Sequence, residues 1–137
     1  DLLRLPLEKA QAEIQSNERI LSSIDHKNTH LFRAPFGNLN DTIKRTLSSP
    51  VINWSIDTLD WTNPNPNCII SAVLEKKFSG AIVLMHDGYE PTVSALKQLL
   101  PRLKQENYQV VSLSQLIKAH GLTFKNGVEY VRAKPKK

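Results

Sequence analysis

Apolar residues recur at helical spacing along several stretches of the chain. The longest begins at Leu7 and places Ala10, Ile14, Leu21 and Ile24 on one side, which predicts an amphipathic helix of about five turns. Residues that commonly cap or begin helices precede four further predicted helices. These run from Asn40 or Asp41 to Leu47, from Asn67 as cap, from Thr92 with Val93, Leu96, Leu100 and Leu103 facing inward, and from Leu113 to Ala119 with Ser112 as cap.

Short apolar runs lie between the predicted helices. "HLF", "VINWS", "AIVLMH" and "YQVVSL" have strand length, and the last two are nearly continuous, as expected of parallel strands that are covered on both faces. Alternating strands and helices predict an α/β fold with parallel pairing. Near the end, "LTFKNGVEYV" alternates around Asn126-Gly127, which predicts a small terminal hairpin.

Size and charge exclude some classes of protein. A chain of 137 residues fits one domain, and no apolar run approaches the roughly 18 residues that a membrane span needs. The net charge is +5, but part of it is in the tail residues Arg132, Lys134, Lys136 and Lys137, and there are few aromatic residues. Nucleic-acid binding is therefore disfavoured. A single cysteine, Cys68, excludes an internal disulfide and a cysteine-based zinc site.

Three polar clusters follow predicted strands. Arg33 comes after "HLF", residues 57–61 come after "VINWS", and His86-Asp87 comes after "AIVLM". Functional residues of parallel sheets gather at the carboxyl ends of strands, so the three clusters are expected at one edge of the sheet. A histidine, an aspartate and an arginine there suit general acid or base chemistry. Each also has a structural interpretation, as a buried histidine, a turn cap or an ion pair.

The clusters taken in order resemble a known family. "FRAPFG", "WSIDTLDW" and "GAIVLMHDG" are similar to the third, fourth and fifth motifs of the polysaccharide deacetylases, the NodB-homology domain of carbohydrate esterase family 4. The resemblance implies an incomplete, distorted (β/α) barrel with mostly parallel strands. Residues 1–120 would be the C-terminal part of the deacetylase domain, and residues 121–137 a terminal hairpin and basic tail.

The resemblance implies the hydrolysis of N-acetyl groups on a sugar polymer. In that family a divalent metal, here expected to be zinc, activates the attacking water, an aspartate acts as base, and a histidine protonates the departing amine. By the motif match, His86 is the general acid and Asp60 the carboxylate that holds it. Arg33 would orient the catalytic aspartate, Leu84 would line the acetyl-methyl pocket, and Trp61 would form its wall.

Phe36 and Asp57 complete the residues assigned from the motifs. Phe36 stands where the family usually has tyrosine, and its backbone N–H would help to stabilise the oxyanion, which accounts for the tight turn at Pro35 and Gly37. Asp57 is interpreted as structural.

The family's first two motifs are not found. No Thr-Phe-Asp-Asp supplies the base and a metal ligand, and no His-Ser/Thr-x-x-His precedes the first helix. We expect the chain to be the C-terminal part of a longer deacetylase, inactive alone, with its metal ligands on an N-terminal part that it associates with. The alternative is a naturally short, inactive relative. His26 and His30 have metal-ligand spacing, but they follow the long helix, and we interpret them as surface residues.

The expected substrates are peptidoglycan or chitin oligosaccharides that contain N-acetylglucosamine. Since these polymers lie outside the membrane, an extracellular or cell-wall location is expected. Two other classes stay open: a noncatalytic carbohydrate-binding relative that uses Trp61, and an α/β scaffold or interaction domain, which separated Asp60 and His86 side chains would favour.

Overall fold

The computed structural model describes residues 1–133, in which helices and very short strands are joined by turns and loops. Two single 3₁₀ turns, Leu2–Arg4 and Pro35–Gly37, accompany them. The helices are α1 (Leu7–Asp25), α2 (Asp41–Lys44), α3 (Pro66–Lys76), α4 (Glu90–Gln105) and α5 (Leu113–Ala119). The strands are β1 (Val51–Ile52), β2 (Ile56–Asp57), β3 (Val83–Leu84) and β4 (Glu129–Tyr130).

The chain forms two compact units. The first unit contains residues 1–53 and 124–130, and the second contains residues 54–123 together with residues 131–133 of those described. The strands pair within the units, β1 with β4 in the first and β2 with β3 in the second, and both pairs are parallel. The predicted α/β class with parallel strands is confirmed, and the strands of residues 1–133 do not close into a barrel.

The first unit packs α1 and α2 around a small core. Leu2, Ala10, Ala34 and Ile43 are buried together, and Ala10 allows close approach because it is small. The first residue of β1, Val51, pairs with Glu129 and also forms a parallel bridge with Phe32. The predicted "HLF" strand is thus reduced to one bridge.

The second unit is held by the contact between α3 and α4. Ile69, Ile70 and Val73 pack against Ala95, Leu99 and Leu103, and each large side chain buried in this way stabilises the fold by roughly 1.5–3 kcal/mol. Helix α3 begins after Asn65, whose side chain accepts the N–H groups of Asn67 and Cys68. The predicted cap at Asn67 is therefore wrong by two residues, because Pro66 occupies the first helical position.

The buried face of α4 differs from the prediction. Val93 and Leu100 are exposed, whereas Thr92, Ala95 and Leu99 are buried. The helix begins at Glu90. Ala95 packs in the core that α4 shares with α3, and Thr92 is buried where its hydroxyl bonds Asp60. By contrast, α5 runs from Leu113 to Ala119 with the predicted Ser112 cap, which the Gln115 side chain completes as a capping box.

Two predicted strand regions differ from the structure. "YQVVSL" forms no strand, and Val110 and Val111 are exposed, because no backbone in the described chain pairs with it. In "AIVLMH" only Val83 and Leu84 are strand, and Val83 is partly exposed, so this strand is not covered on both faces.

The terminal hairpin is also replaced by another pairing. A turn is present at residues 126–127, and the Val128 N–H donates to the Lys125 carbonyl. The residues after it pair in parallel with β1, as Val51↔Glu129 and Ile52↔Tyr130, so the predicted antiparallel ladder is not formed. The turn at Asn126-Gly127 was correctly predicted, but the strand that follows it pairs with β1 and not with the segment just before the turn.

The basic tail predicted at the C-terminus is only partly described: Lys134, Lys136 and Lys137 lie outside the described residues. Within residues 1–133, no helix has both the length and the apolar character needed to cross a bilayer.

Candidate functional site

Asp60 and His86 lie in contact in the second unit. Asp60 Oδ1 is 2.8 Å from His86 Nδ1, and Asp60 Oδ2 accepts the backbone N–H of His86 at 2.7 Å. The Asp60 side chain is fully buried, whereas 37% of the His86 side chain is exposed. Since an ionised carboxylate can only accept, the ring carries a proton on Nδ1, and in the neutral ring Nε2 is the unprotonated nitrogen.

A third side chain completes this arrangement. The Thr92 hydroxyl, at the start of α4, donates to Asp60 Oδ2 at 2.9 Å. Burial raises the pKa of Asp60, but the hydrogen bonds from the His86 backbone, the His86 ring and the Thr92 hydroxyl outweigh it and hold that pKa below its ordinary value. The buried carboxylate therefore stays ionised and can stabilise a positive charge on the imidazole.

The loop before Asp60 positions its carboxylate. Asp57 Oδ1 accepts the backbone N–H of Leu59 at 2.9 Å, and Leu59 has a left-handed backbone with φ 52°. The buried Thr58 hydroxyl donates to the Leu84 carbonyl at 2.8 Å, which ties the end of β2 to the end of β3. Asp57 thus makes a turn contact, and the prediction that its role is structural has this contact in its favour.

Trp61 and Leu84 lie near the pair in sequence but differ in exposure. Trp61 follows Asp60 and is 55% exposed. Leu84 is buried in β3, two residues before His86. Their predicted roles as the wall and lining of an acetyl pocket stay predictions.

Arg33 and Phe36 belong to the first unit. Arg33 is exposed. Phe36 has a left-handed backbone, with φ 62° and ψ 8°, and its side chain is 78% exposed. This conformation is uncommon for an aromatic residue, and neither the Phe36 N–H nor its ring is held by a hydrogen bond or an apolar contact cluster within residues 1–133.

His30 is more enclosed than the sequence indicated. Its side chain is 17% exposed, its Nδ1 lies 2.9 Å from Glu18 Oε1, and its Nε2 lies 3.1 Å from both Asp25 oxygens. His30 is thus a partly exposed residue with two carboxylates of α1 against its ring. His26 ends α1 in a left-handed conformation.

The described residues do not offer a metal centre. In the described part of the chain, no three His, Cys, Asp or Glu side chains are grouped so that they could hold an ion. The residues present therefore do not by themselves fit a catalytic metal.

The sequence motifs did not indicate the roles of two threonines in this region, Thr58 and Thr92. Thr92 was interpreted only as the start of a helix, and Thr58 was one of several polar residues after a strand. Both bond across more than 25 positions, so no local spacing could indicate these contacts. The only available signal was that each stands beside a strand or helix end.

The curated proteins that this chain is similar to are carbohydrate deacetylases. No protein-family model matches the chain. It is 30% identical over 115 residues to the peptidoglycan-N-acetylmuramic acid deacetylase PdaC of Bacillus subtilis, a match that covers 84% of this chain and 25% of that protein. Peptidoglycan-N-acetylglucosamine deacetylases and chitooligosaccharide deacetylases also match. The chain thus spans only part of the curated relatives.

Solved structures give the same result. The structure described as T48 deacetylase with substrate superimposes with a TM-score of 0.84 and 30% identity, over 95% of this chain and 64% of that one. A carbohydrate esterase family 4 pseudoenzyme from Bacillus anthracis superimposes with a TM-score of 0.72 and 29% identity, over 82% of this chain and 41% of that one. Both similarities extend over most of the described residues.

Proposed function

The chain is homologous to the C-terminal part of the polysaccharide deacetylases of carbohydrate esterase family 4, and we propose that it is part of an enzyme that removes N-acetyl groups from polymers containing N-acetylglucosamine. Peptidoglycan and chitin oligosaccharides are the proposed substrates. The observation that supports this most is the contact between the buried Asp60 carboxylate and the partly exposed His86 ring.

His86 is proposed to be the general acid. Hydrolysis of an amide releases an amine, which is a poor leaving group unless its nitrogen is protonated. A protonated His86 ring would donate from Nε2 to that nitrogen, while its Nδ1–H stays bonded to Asp60. Asp60 is a positioning residue, since it orients the ring and stabilises its positive charge without touching the substrate.

The remaining roles rest on the motif match. Leu84 is proposed to line the pocket for the acetyl methyl group and Trp61 to contact the sugar. Arg33 is proposed to orient a catalytic aspartate that lies outside this chain, and the Phe36 N–H to donate to the oxyanion. The free Phe36 N–H in the described structure supports the last of these assignments.

A divalent metal, expected to be zinc, is proposed to bind residues outside this chain. The described residues do not form a metal site, so this chain alone is proposed to be inactive and to need the N-terminal part of the same protein. An extracellular or cell-wall location is proposed from the substrate class.

Acetate release tests the proposal. The longest natural form of the protein and this chain alone are incubated with N-acetylglucosamine oligomers or with peptidoglycan, each with added zinc or cobalt. The longer protein should release acetate when metal is present, and this chain alone should not. No acetate from the longer protein under any of these conditions would contradict the proposed activity.

A noncatalytic carbohydrate-binding relative is the second candidate. It is favoured by the similarity to the pseudoenzyme and by the exposed indole of Trp61. This candidate predicts that the longer protein binds the oligomers, that Trp61→Ala weakens binding, and that no acetate is released.

A further inference from the structure

A partly buried polar network lies beside the Phe36 turn in the first unit. Lys44 Nζ donates to Glu129 Oε2 at 2.6 Å, and Asn53 Nδ2 donates to Glu129 Oε1 at 2.6 Å. The same Asn53 nitrogen donates to the Gly37 carbonyl at 3.3 Å. We call these side chains, Lys44, Asn53 and Glu129, the turn network. They connect α2 and β4 to the end of β1 and to the turn.

The turn at Phe36 and Gly37 needs stabilising contacts from outside the turn. Phe36 and Gly37 both have positive φ, 62° and 69°, and the Phe36 backbone is costly for a residue with a side chain. Two backbone bonds close the turn from inside, from Gly37 to Ala34 and from Asn38 to Pro35. The Phe36 side chain is too exposed to fix the turn by packing.

The orientation of Asn53 indicates that its donors are what matter. Its Oδ1 is buried and has no hydrogen-bond partner among residues 1–133, which is unusual for a native structure. Both N–H groups of the same amide are used, by Gly37 and Glu129. Turning the amide over would place Oδ1 against the Glu129 carboxylate, so the unpartnered oxygen follows from the bonds that the amide donates to Glu129 and Gly37.

The base of the network is fixed. The Asn53 backbone N–H donates to the Tyr130 carbonyl at 2.9 Å, and Glu129 lies in β4, which pairs with β1. The Lys44 side chain neutralises the partly buried Glu129 carboxylate, and this ion pair lowers the pKa of Glu129 and raises the pKa of Lys44. Both groups are therefore charged around neutral pH.

We infer that the turn network positions the Phe36 backbone N–H through its bond to the Gly37 carbonyl. The inference rests on the proposed function, in which that N–H donates to the oxyanion. Lys44, Asn53 and Glu129 are then positioning residues that act through the backbone and contact no reacting atom. Glu129 lies in the segment 121–137, beyond the part of the sequence that resembles the deacetylase motifs.

The first experiment uses the chain itself and needs no activity. Asn53→Asp keeps the shape, removes both donors and faces Glu129 with a second carboxylate. Glu129→Gln offers one acceptor oxygen where the carboxylate offers two, so one bond of the network is lost even if the first variant does not fold. The control is Glu106→Gln, which breaks the 2.9 Å ion pair with Lys77 in the second unit.

Two-dimensional ¹⁵N–¹H spectra report on the turn directly. The Phe36 and Gly37 amide peaks should shift or broaden in both network variants and stay in place in Glu106→Gln, while the peaks of α4 and α5 remain dispersed in all of them. Turn peaks that move no more in the network variants than in the control would overturn the inference.

The second experiment measures kinetics in the longest active form. Since the loss of an oxyanion donor costs about 10²–10³-fold in kcat, a displaced one should lower kcat about tenfold with little change in KM. An unchanged kcat alongside shifted turn peaks would overturn the positioning role. If the wild type itself releases no acetate, the proposed function fails, and the spectra still decide whether the network holds the turn.

Discussion

Asp60 holds His86 at two points, the ring Nδ1 at 2.8 Å and the backbone N–H at 2.7 Å. The two bonds fix the ring relative to the end of its own strand, so the imidazole cannot turn without losing a bond to a buried charge. Asp60 and His86 are 26 positions apart, yet each is the residue that the motif resemblance assigned to the pair.

Asp60→Asn should reduce deacetylation in the longest active form. An amide can present its N–H to Nδ1, which would move the ring proton to Nε2 in the neutral form and remove the charge that stabilises the imidazolium. We expect a loss on the order of 100-fold or more in kcat, within the range of acid–base catalysis, measured by acetate release.

Asp57→Asn is the matched control for this loss. The Asp57 side chain accepts the Leu59 N–H, and the amide oxygen of asparagine can still accept it. Activity should stay within about threefold of the wild type. Equal losses in the two variants would contradict the distinct roles of these aspartates.

Thr92→Val should destabilise the second unit. Valine matches the shape of threonine but leaves Asp60 Oδ2 with one donor fewer in a buried site, at a cost of about 1–3 kcal/mol in the free energy of unfolding. Thr62→Val serves as control, because the Thr62 hydroxyl bonds an exposed carbonyl. Urea unfolding of both variants measures the difference, and equal midpoints would show that the Thr92 bond is not needed.

His30 should make the stability of the chain depend on pH. The hydrogen bonds that the His30 ring donates to Glu18 and then to Asp25 raise the pKa of His30 above its ordinary 6.5. Bonds from Lys27 lower the pKa of Asp25 to about 2, so Asp25 is ionised well below neutrality. A raised pKa means that the stabilisation is fully present below pH 6.5 and is lost as the pH rises through the higher value of the folded state.

Unfolding in urea between pH 6 and pH 9 tests this dependence. The wild type should lose stability over that range, and His30→Gln should lack this loss because glutamine carries no charge. His26→Asn should keep the wild-type slope, since asparagine tolerates the left-handed backbone at that position. A slope that survives in His30→Gln would contradict the role of the two carboxylates.

The positive φ of Phe36 should decide which residues position 36 tolerates more than the contacts of its side chain do. Because its φ is 62° and its ring is mostly exposed, Phe36→Gly should leave the fold intact. Phe36→Val, with a branched residue forced to positive φ, should be less stable than the glycine variant by about 1–2 kcal/mol. Equal unfolding free energies for the two variants would show that the turn relaxes.

Local patterns predicted the helices well. The long amphipathic pattern from Leu7 gave α1, which extends to Asp25, and Ser112 gave the start of α5. These features depend on a few neighbouring residues, which the sequence shows directly. The buried face of α4 could not be predicted in the same way, because Ala95 is buried by its packing against α3 and Thr92 by its contact with Asp60, and neither by its own hydrophobicity.

Pairing between distant segments was harder to predict. Asn126-Gly127 indicated a turn, but β4 pairs with β1 some 78 positions earlier, as the Val51↔Glu129 register shows. "YQVVSL" has strand composition and forms none, because a strand also needs a neighbouring backbone. The Asp60–His86 contact was predicted only through the family motifs, whereas Thr92 and Asn53 belong to no recognised motif and were found from the structure.

The position of the proton on the neutral His86 ring tests the proposed Asp60–His86 pair more directly than any activity. Long-range ¹⁵N–¹H correlation spectra of the ¹⁵N-labelled chain distinguish the two ring nitrogens. We predict that the neutral ring keeps its proton on Nδ1, bonded to Asp60, with Nε2 unprotonated, and that Asp60→Asn reverses this. A neutral His86 ring protonated on Nε2 in the wild type would contradict it.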